Sequence, residues 1–242
     1  MKFLNILRIP VLNILLISAT ASCNKSWLDV NYNPSELTDS AATPDLVLPV
    51  LLSEWPGTEV AGFNEWMGYW CEPRLSRASD EQTNYKFNEP SWANGNPTIG
   101  QYLFEEKAMR TGQTFYAGIA KIIQAISYSR SVDMLNNIPY TDAFKVNIRQ
   151  PKYDDGQFIY EELMKNLDLA IQMIKDAELN KNVRISQADI MFHGDKMKWV
   201  KFANTLKLRL LIHQANLPGR EAYIQNEISK ITGEGKIGRA HV

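Results

Sequence analysis

Apolar residues recur at threes and fours along most of this chain and almost nowhere alternate with polar ones. That spacing lines one face of a helix, whereas a half-buried strand needs a period of two. The clearest segment opens at Asp154: Asp154-Asp155-Gly156-Gln157 offers a capping aspartate with Gln three residues on, a variant of the capping box. Behind it Ile159, Leu163, Leu167, Ala170, Ile171 and Ile174 form one stripe. The span Thr111 to Leu135 repeats the pattern through Phe115, Ile119, Ile122, Ile123, Ile126 and Val132. Earlier, Asp39 or Thr43 is placed to cap a helix through Leu46, Val47, Val50 and Leu51 that ends near Pro56-Gly57. A second apolar segment runs from Val60 through Trp66 and Trp70 to about Leu75, and helix resumes near Phe104.

Asp195 is placed to cap a further helix from Met197 to about Ala215, with Trp199, Phe202, Leu206 and Leu210 on one side and Val200, Leu208 and Leu211 on others. A helix apolar on several sides packs between neighbours, which predicts that Lys196, Lys198, Lys201, Lys207 and Arg209 keep their charges at its edges. Pro218-Gly219 ends it, and a last helix follows from about Arg220 to Thr232. No stretch alternates like a strand for more than about four residues. The expected fold is all-α over residues 41–236, with helix pairs stacked in a tetratricopeptide-like way and long irregular loops between them. No sequence repeat of ~34 residues accompanies that expectation, so it rests on the succession of helices.

The two ends break the pattern. Lys2 and Arg8 precede Ile14-Leu15-Leu16-Ile17, then the small residues Ser18-Ala19-Thr20-Ala21-Ser22, then Cys23. A basic head, an apolar middle and a small-residue zone make residues 1–22 a secretory signal, too short to span a bilayer stably. Ending on cysteine is similar to a lipobox, in which Cys23 becomes the first mature residue and carries lipid. Thr20 stands where leucine is usual, and the other reading is ordinary cleavage near Ala21 with Cys23 a bystander. Residues 23–40 are polar and read as a tether, interrupted by the apolar pair Trp27-Leu28. Residues 237–242 (Ile-Gly-Arg-Ala-His-Val) resemble translated adapter sequence, which predicts a non-native tail on a truncated gene and a helix face left uncovered.

Charge narrows the function classes. A formal net charge of −1 argues against nucleic-acid binding through bulk electrostatics. The basic helix at 196–209 interleaves aromatics, but its apolar content favours core packing with snorkelling lysines. Once Cys23 is lipidated, Cys71 is the one remaining cysteine, so the mature chain has no internal disulfide available.

Three segments together resemble the SusD/RagB family of surface nutrient-binding lipoproteins. The first is Cys23 with Ser26-Trp27-Leu28-Asp29. The second is Asn137-Ile138-Pro139-Tyr140-Thr141-Asp142-Ala143-Phe144, followed by Pro151-Lys152-Tyr153-Asp154 and Ile159-Tyr160-Glu161-Glu162-Leu163. The third runs from Gly194-Asp195-Lys196-Met197-Lys198-Trp199 through Val200-Lys201-Phe202-Ala203-Asn204-Thr205 to Leu206-Lys207-Leu208-Arg209. The resemblance implies a helical receptor, not an enzyme, lipid-anchored and exposed on the outer membrane of Bacteroidota. It implies a SusC-type TonB-dependent transporter as partner, an oligosaccharide or a peptide as ligand, and no cofactor. Family chains are roughly twice this length. The same blocks have a structural reading as fold determinants, in which Pro139 and Pro151 set extended bends, Tyr140 and Phe144 pack, and Asp154 caps.

Sugar binding needs flat aromatic faces for C–H surfaces and amides for hydroxyls. The stretch 84–102 supplies both in Asn84, Tyr85, Trp92, Asn94, Asn96 and Tyr102, with Trp92 the preferred stacking platform and Asn94 and Asn96 its hydrogen-bonding partners. Equally, Asn, Gly and Pro form turns, and aromatics pin a long loop to the body. Trp66, Tyr69 and Trp70 stand at helical spacing and read as core. Catalysis finds little support. The three histidines have no zinc-type pairing, no nucleophile elbow or phosphate-binding glycine loop occurs, and the neighbouring carboxylates of Glu105-Glu106 and Glu161-Glu162 point apart on a helix. A lipid-anchored helical scaffold that joins proteins is the competing class, and a surface glycoside hydrolase is a weaker third, since it needs two carboxylates facing across a cleft.

Overall fold

The computed structural model describes residues 38, 41–58 and 97–233. The chain divides into two compact units, Met1–Ala42 and Thr43–Val242, and the helices described here belong to the second. They are α1 (Pro44–Thr58), α2 (Ile99–Arg110), α3 (Thr114–Leu135), α4 (Gly156–Asp176), the short α5 (Ile185–Ala188), α6 (Lys196–His213) and α7 (Glu221–Gly233), with one 3₁₀ turn at Leu179–Lys181. Among the described residues there is no strand, only an isolated antiparallel bridge between Ile138 and Asp154. The all-α expectation holds.

From α2 to α6 each long helix packs on the next, and the contacts run in opposite directions. Gln101 donates to Ser127 at 3.0 Å while Phe104 meets Tyr116 edge-on, so α2 and α3 are antiparallel across a three-residue turn at 111–113. Gly118, early in α3, faces Ile174 and Ala170 late in α4, whereas Gly156 at the start of α4 faces Val132 and Asn136 at the end of α3. On the far side Tyr160 lies 3.1 Å from His213, Asp168 pairs with Lys207, and Lys196 donates to the carbonyls of Lys175 and Ala177, so α4 and α6 are antiparallel too. That last contact places an ammonium on the orphan carbonyls at the C-terminus of α4, where charge and dipole agree.

The core sits along α3 and α4. All six apolar positions of the α4 stripe are buried, and so are Phe115, Ile119, Ile122, Ile123, Ile126 and Val132 of α3. Full burial of each of these Ile, Leu, Val and Phe side chains contributes about 1.5–3 kcal/mol. The arriving segment 177–184 is fastened to the start of α3 by polar contacts. The Phe115 N–H donates to Asn182 Oδ1 at 3.1 Å, the Val183 N–H to Gln113 Oε1 at 3.0 Å, and the Tyr116 hydroxyl to the Val183 carbonyl at 2.6 Å. At the other end Arg220 donates to Glu161 at 2.7 Å and to Gln214, with its guanidinium 4.1 Å above the Tyr223 ring, which ties the entry of α7 to α4 and α6.

Four details differ from the pattern reading. The cap of α4 is Asp155, which accepts from the N–H groups of Gln157 and Phe158; Asp154 turns the other way, into the preceding loop. In α1 Leu48 and Leu52 are buried, as is Pro44, while Leu46 and Val50 are exposed. Helix α2 begins at Ile99, five residues before Phe104, because a segment rich in Gly, Pro and Asn hides its first turn from a periodicity argument. Lys207 is not an edge lysine: it is only 3% exposed, and its ammonium reaches the half-exposed Asp168. Asp195 caps α6 as its position predicts, accepting from Met197 and Lys198.

Candidate functional site

Of the binding residues put forward from the sequence, Tyr102 is described, and it stands one turn into α2. Asn84, Tyr85, Trp92, Asn94 and Asn96 lie outside the described residues, as do Cys23, Trp66, Tyr69, Trp70 and the tail 237–242.

Tyr102 belongs to an aromatic cluster drawn from three parts of the fold. Its ring meets Tyr128 of α3 edge-on at 6.4 Å and lies against Phe144 of the α3–α4 loop at 5.0 Å. Tyr128 in turn meets Tyr140 of that loop edge-on at 4.8 Å. The hydroxyls are linked as well. Tyr102 donates to Tyr128 at 2.8 Å, and the Asn166 amide of α4 donates to the Tyr140 hydroxyl at 2.7 Å. Burial first, then the hydrogen bond to Tyr128, pushes the Tyr102 hydroxyl far above its ordinary pKa. Burial also raises Tyr140, and pushes Tyr128 up to about 12. All three are therefore neutral hydroxyls at physiological pH.

The loop that carries Tyr140 and Phe144 is held by Asp154. Its carboxylate accepts the N–H groups of Tyr140 at 3.1 Å and Thr141 at 2.7 Å, together with the Thr141 hydroxyl at 2.9 Å. Its own N–H donates to the Ile138 carbonyl at 2.9 Å. Burial alone would raise the Asp154 pKa, but the Thr141 and Tyr140 donors and the Lys152 ammonium outweigh it and hold the carboxyl below its ordinary range. Phe144 takes φ +60°, a left-handed conformation unusual for an aromatic residue, with its ring against Tyr102.

Beside this cluster opens a cleft of about 400 Å³ between Tyr102 and Tyr140. Helix α2 lines it with Glu105, Glu106 and Met109, α3 with Lys121 and Gln124, and α4 with Asn166. Glu105 is committed within the protein: Lys121 pairs with it at 2.6 Å and the Gln124 amide donates to it at 2.8 Å. Tyrosine side chains next to amides and carboxylates suit a polar ligand with some apolar surface. Among the described residues no group of three His, Cys, Asp or Glu side chains is placed to hold a metal ion, and no helix is long and apolar enough to cross a membrane. A second concavity of about 340 Å³ between α4, α6 and α7 is lined by Asp168, Lys175, Lys207 and Lys230, with its charges largely paired.

Sequence reasoning put Tyr102 forward as a candidate and placed Tyr140 and Phe144 as packing residues, which their ring contacts bear out. It missed Asn166, Gln124 and the Glu105–Lys121 pair, because single polar residues on helix faces carry no periodic mark of what they face.

The family described as starch-binding and associating with the outer membrane matches residues 47–236. No curated protein matches the chain. Among solved structures, a SusD homologue from Bacteroides fragilis is similar with a TM-score of 0.61 at 19% identity, covering 82% of this chain and 42% of that one. A SusD/RagB family protein from Bacteroides thetaiotaomicron gives 0.60 at 18%, covering 82% and 43%. A chitin-binding SusD homologue from Flavobacterium johnsoniae gives 0.50 at 21%, covering 57% and 28%. The chain thus spans less than half the length of these solved relatives, whose likeness is one of fold. With the match running over most of its length and the helical fold in agreement, this chain belongs to the SusD-like family of outer-membrane nutrient-binding proteins.

Proposed function

We propose that this chain is a surface-exposed receptor that holds an oligosaccharide non-covalently and passes it to a SusC-type TonB-dependent transporter, without altering it chemically. In this reading residues 1–22 direct export, lipid on Cys23 and the tether 23–40 hold the helical domain of residues 41–236 at the outer membrane, and residues 237–242 are not native. The family match over 47–236 is the observation that carries it. The cleft between Tyr102 and Tyr140 supports it, because neutral tyrosines beside the Asn166 and Gln124 amides offer both surfaces that a sugar presents. In sequence, Trp92, Asn94, Asn96, Tyr85 and Asn84 supply the same combination of aromatics and amides ahead of α2.

The test is retention on a panel of immobilised glycans by the wild-type chain and by Tyr102→Ala, Trp92→Ala and Asn94→Ala variants, each first shown to melt cooperatively. At least one glycan class should be retained, with about ten-fold or greater loss in the Tyr102 and Trp92 variants, since one stacking aromatic is worth about 1.4 kcal/mol or more. Retention of no glycan at all would overturn the reading, and unchanged affinity in Trp92→Ala and Asn94→Ala would clear that segment of a binding role.

A further inference from the structure

The polar atoms of the Tyr102–Tyr140 cleft are unevenly spent. The Lys121 ammonium is engaged by Glu105. The Glu105 carboxylate and the Gln101 carbonyl, which the Gln124 amide meets, can only accept, so its N–H₂ end is fixed on them and its carbonyl oxygen is the end left over. Asn166 spends one N–H on the Tyr140 hydroxyl. Glu106 lines the same cleft and is exposed, yet it has no hydrogen-bond or ion-pair partner among the described residues. Spare donors remain on Asn166, Lys121 and the Tyr140 hydroxyl beside open amide carbonyls, and what no partner balances is the full charge of the Glu106 carboxylate. With Glu105 balanced by Lys121, Glu106 leaves the lining with one uncompensated negative charge. Flanking tyrosine rings add a second attraction for a cation.

Resting on the sugar-binding reading above, we infer that this cleft selects sugars bearing a protonated amine, with Glu106 as the residue that determines that specificity. An ammonium supplies several N–H donors and one positive charge, which is what these open acceptors and the free carboxylate complement. An N-acetylated or neutral sugar of the same shape brings no charge and leaves Glu106 unmatched.

Calorimetric titration of the full chain with a β-1,4-linked glucosamine tetramer, its fully N-acetylated counterpart and a lysine tetrapeptide tests this, in mildly acidic low-salt buffer where the sugar amines carry protons. The amine-bearing tetramer should bind about five- to ten-fold more tightly than the N-acetylated one, as expected for a partly exposed ion pair. Glu106→Gln, an exposed helix position, should remove that preference, and added salt should erode it. Equal affinity for the two tetramers, with binding still dependent on Tyr102, would overturn the inference and leave the sugar-binding reading standing. Binding of neither tetramer would overturn the inference as well, while the sugar-binding reading would fall only if the glycan panel too showed no retention. Glu106-dependent binding of the lysine peptide without the glucosamine tetramer would also overturn the inference, since the ammonium would then come from peptide.

Discussion

The indole N–H of Trp199 donates to the Asp189 carboxylate at 2.7 Å, and both residues are wholly buried. The same carboxylate accepts the N–H groups of Met191, Phe192 and Gly194 at 3.1, 3.0 and 2.8 Å, so one acidic side chain folds the loop 189–195 that leads into α6. His193 and Gly194 both take positive φ in that loop, and the carboxylate holds them there. Above it Trp199 packs edge-on against Phe192 and Phe202 at 5.1 and 5.9 Å.

Removing the Asp189 acceptor orphans four donors, of which the Trp199 indole N–H is wholly buried and the three backbone N–H groups are partly buried. Asp189→Ala is expected to cost about 2–4 kcal/mol, at the upper end of what single polar deletions do. Asp189→Asn should cost nearly as much despite its matched shape, because its N–H₂ group would face donors. Urea unfolding followed by far-UV circular dichroism measures both, and a loss below about 1 kcal/mol in Asp189→Ala would contradict the assigned role.

Two glycines inside helices should respond to alanine with opposite signs. Helix propensity alone favours Ala over Gly by about 1 kcal/mol. At Gly118 an added Cβ would lie 2.7 Å from Ile174 Cγ1 and 3.1 Å from the Ala170 carbonyl, so α3 and α4 would have to part. Overpacking of that kind costs about 1–3 kcal/mol, and Gly118→Ala should be destabilising on balance. At Gly100 the nearest atom to an added Cβ is Thr98 Oγ1 at 3.7 Å, so Gly100→Ala should gain a few tenths of a kcal/mol. Thermal melts of the two variants decide this, and a stabilised Gly118→Ala would disprove close approach of the two helices.

How far the sequence could be read follows from the same physics. The stripe of α4 was legible because Ile159, Leu163, Leu167 and Ile174 bury on one face while the opposite face stays polar, and that contrast is what a periodicity argument detects. The three-block resemblance located the α3–α4 loop and α6, yet it did not disclose that Asp154 organises the first and Asp189, five residues before the last block, the second. Both act through hydrogen bonds to nearby backbone N–H groups, for which spacing leaves no trace. Asn182 and Gln113 were hidden for another reason, since their partners lie 67 and 70 residues away. Lys207 read as an edge lysine because its neighbours Lys198, Lys201 and Arg209 share its composition; only the position of Asp168 on the facing helix distinguishes it. In the candidate cleft, Tyr102 was legible as an aromatic beside a turn-rich segment, while the free carboxylate of Glu106 became meaningful only once Lys121 and Gln124 were seen to be committed to Glu105.

The Asp154 carboxylate makes the loop beneath the cleft sensitive to acid. Its folded pKa lies below its unfolded value, so at acid pH the unfolded chain binds the proton more readily than the folded one. The stabilisation is therefore complete above the ordinary aspartate value of about 4, and it is lost as pH falls through the lower folded value. Glu161, also held low by burial being outweighed by Arg220 and Gln157, adds a second contribution of the same sign. Asp154→Asn should lower stability near neutral pH by about 1–2 kcal/mol through loss of charge-assisted hydrogen bonds to Tyr140 and Thr141. It should also flatten the decline between about pH 5 and pH 2 relative to wild type, leaving the part due to Glu161. Urea midpoints at stepped pH values measure both. Parallel profiles for wild type and variant would mean that Asp154 carries no such proton linkage, and that the Tyr140 loop is held by packing alone.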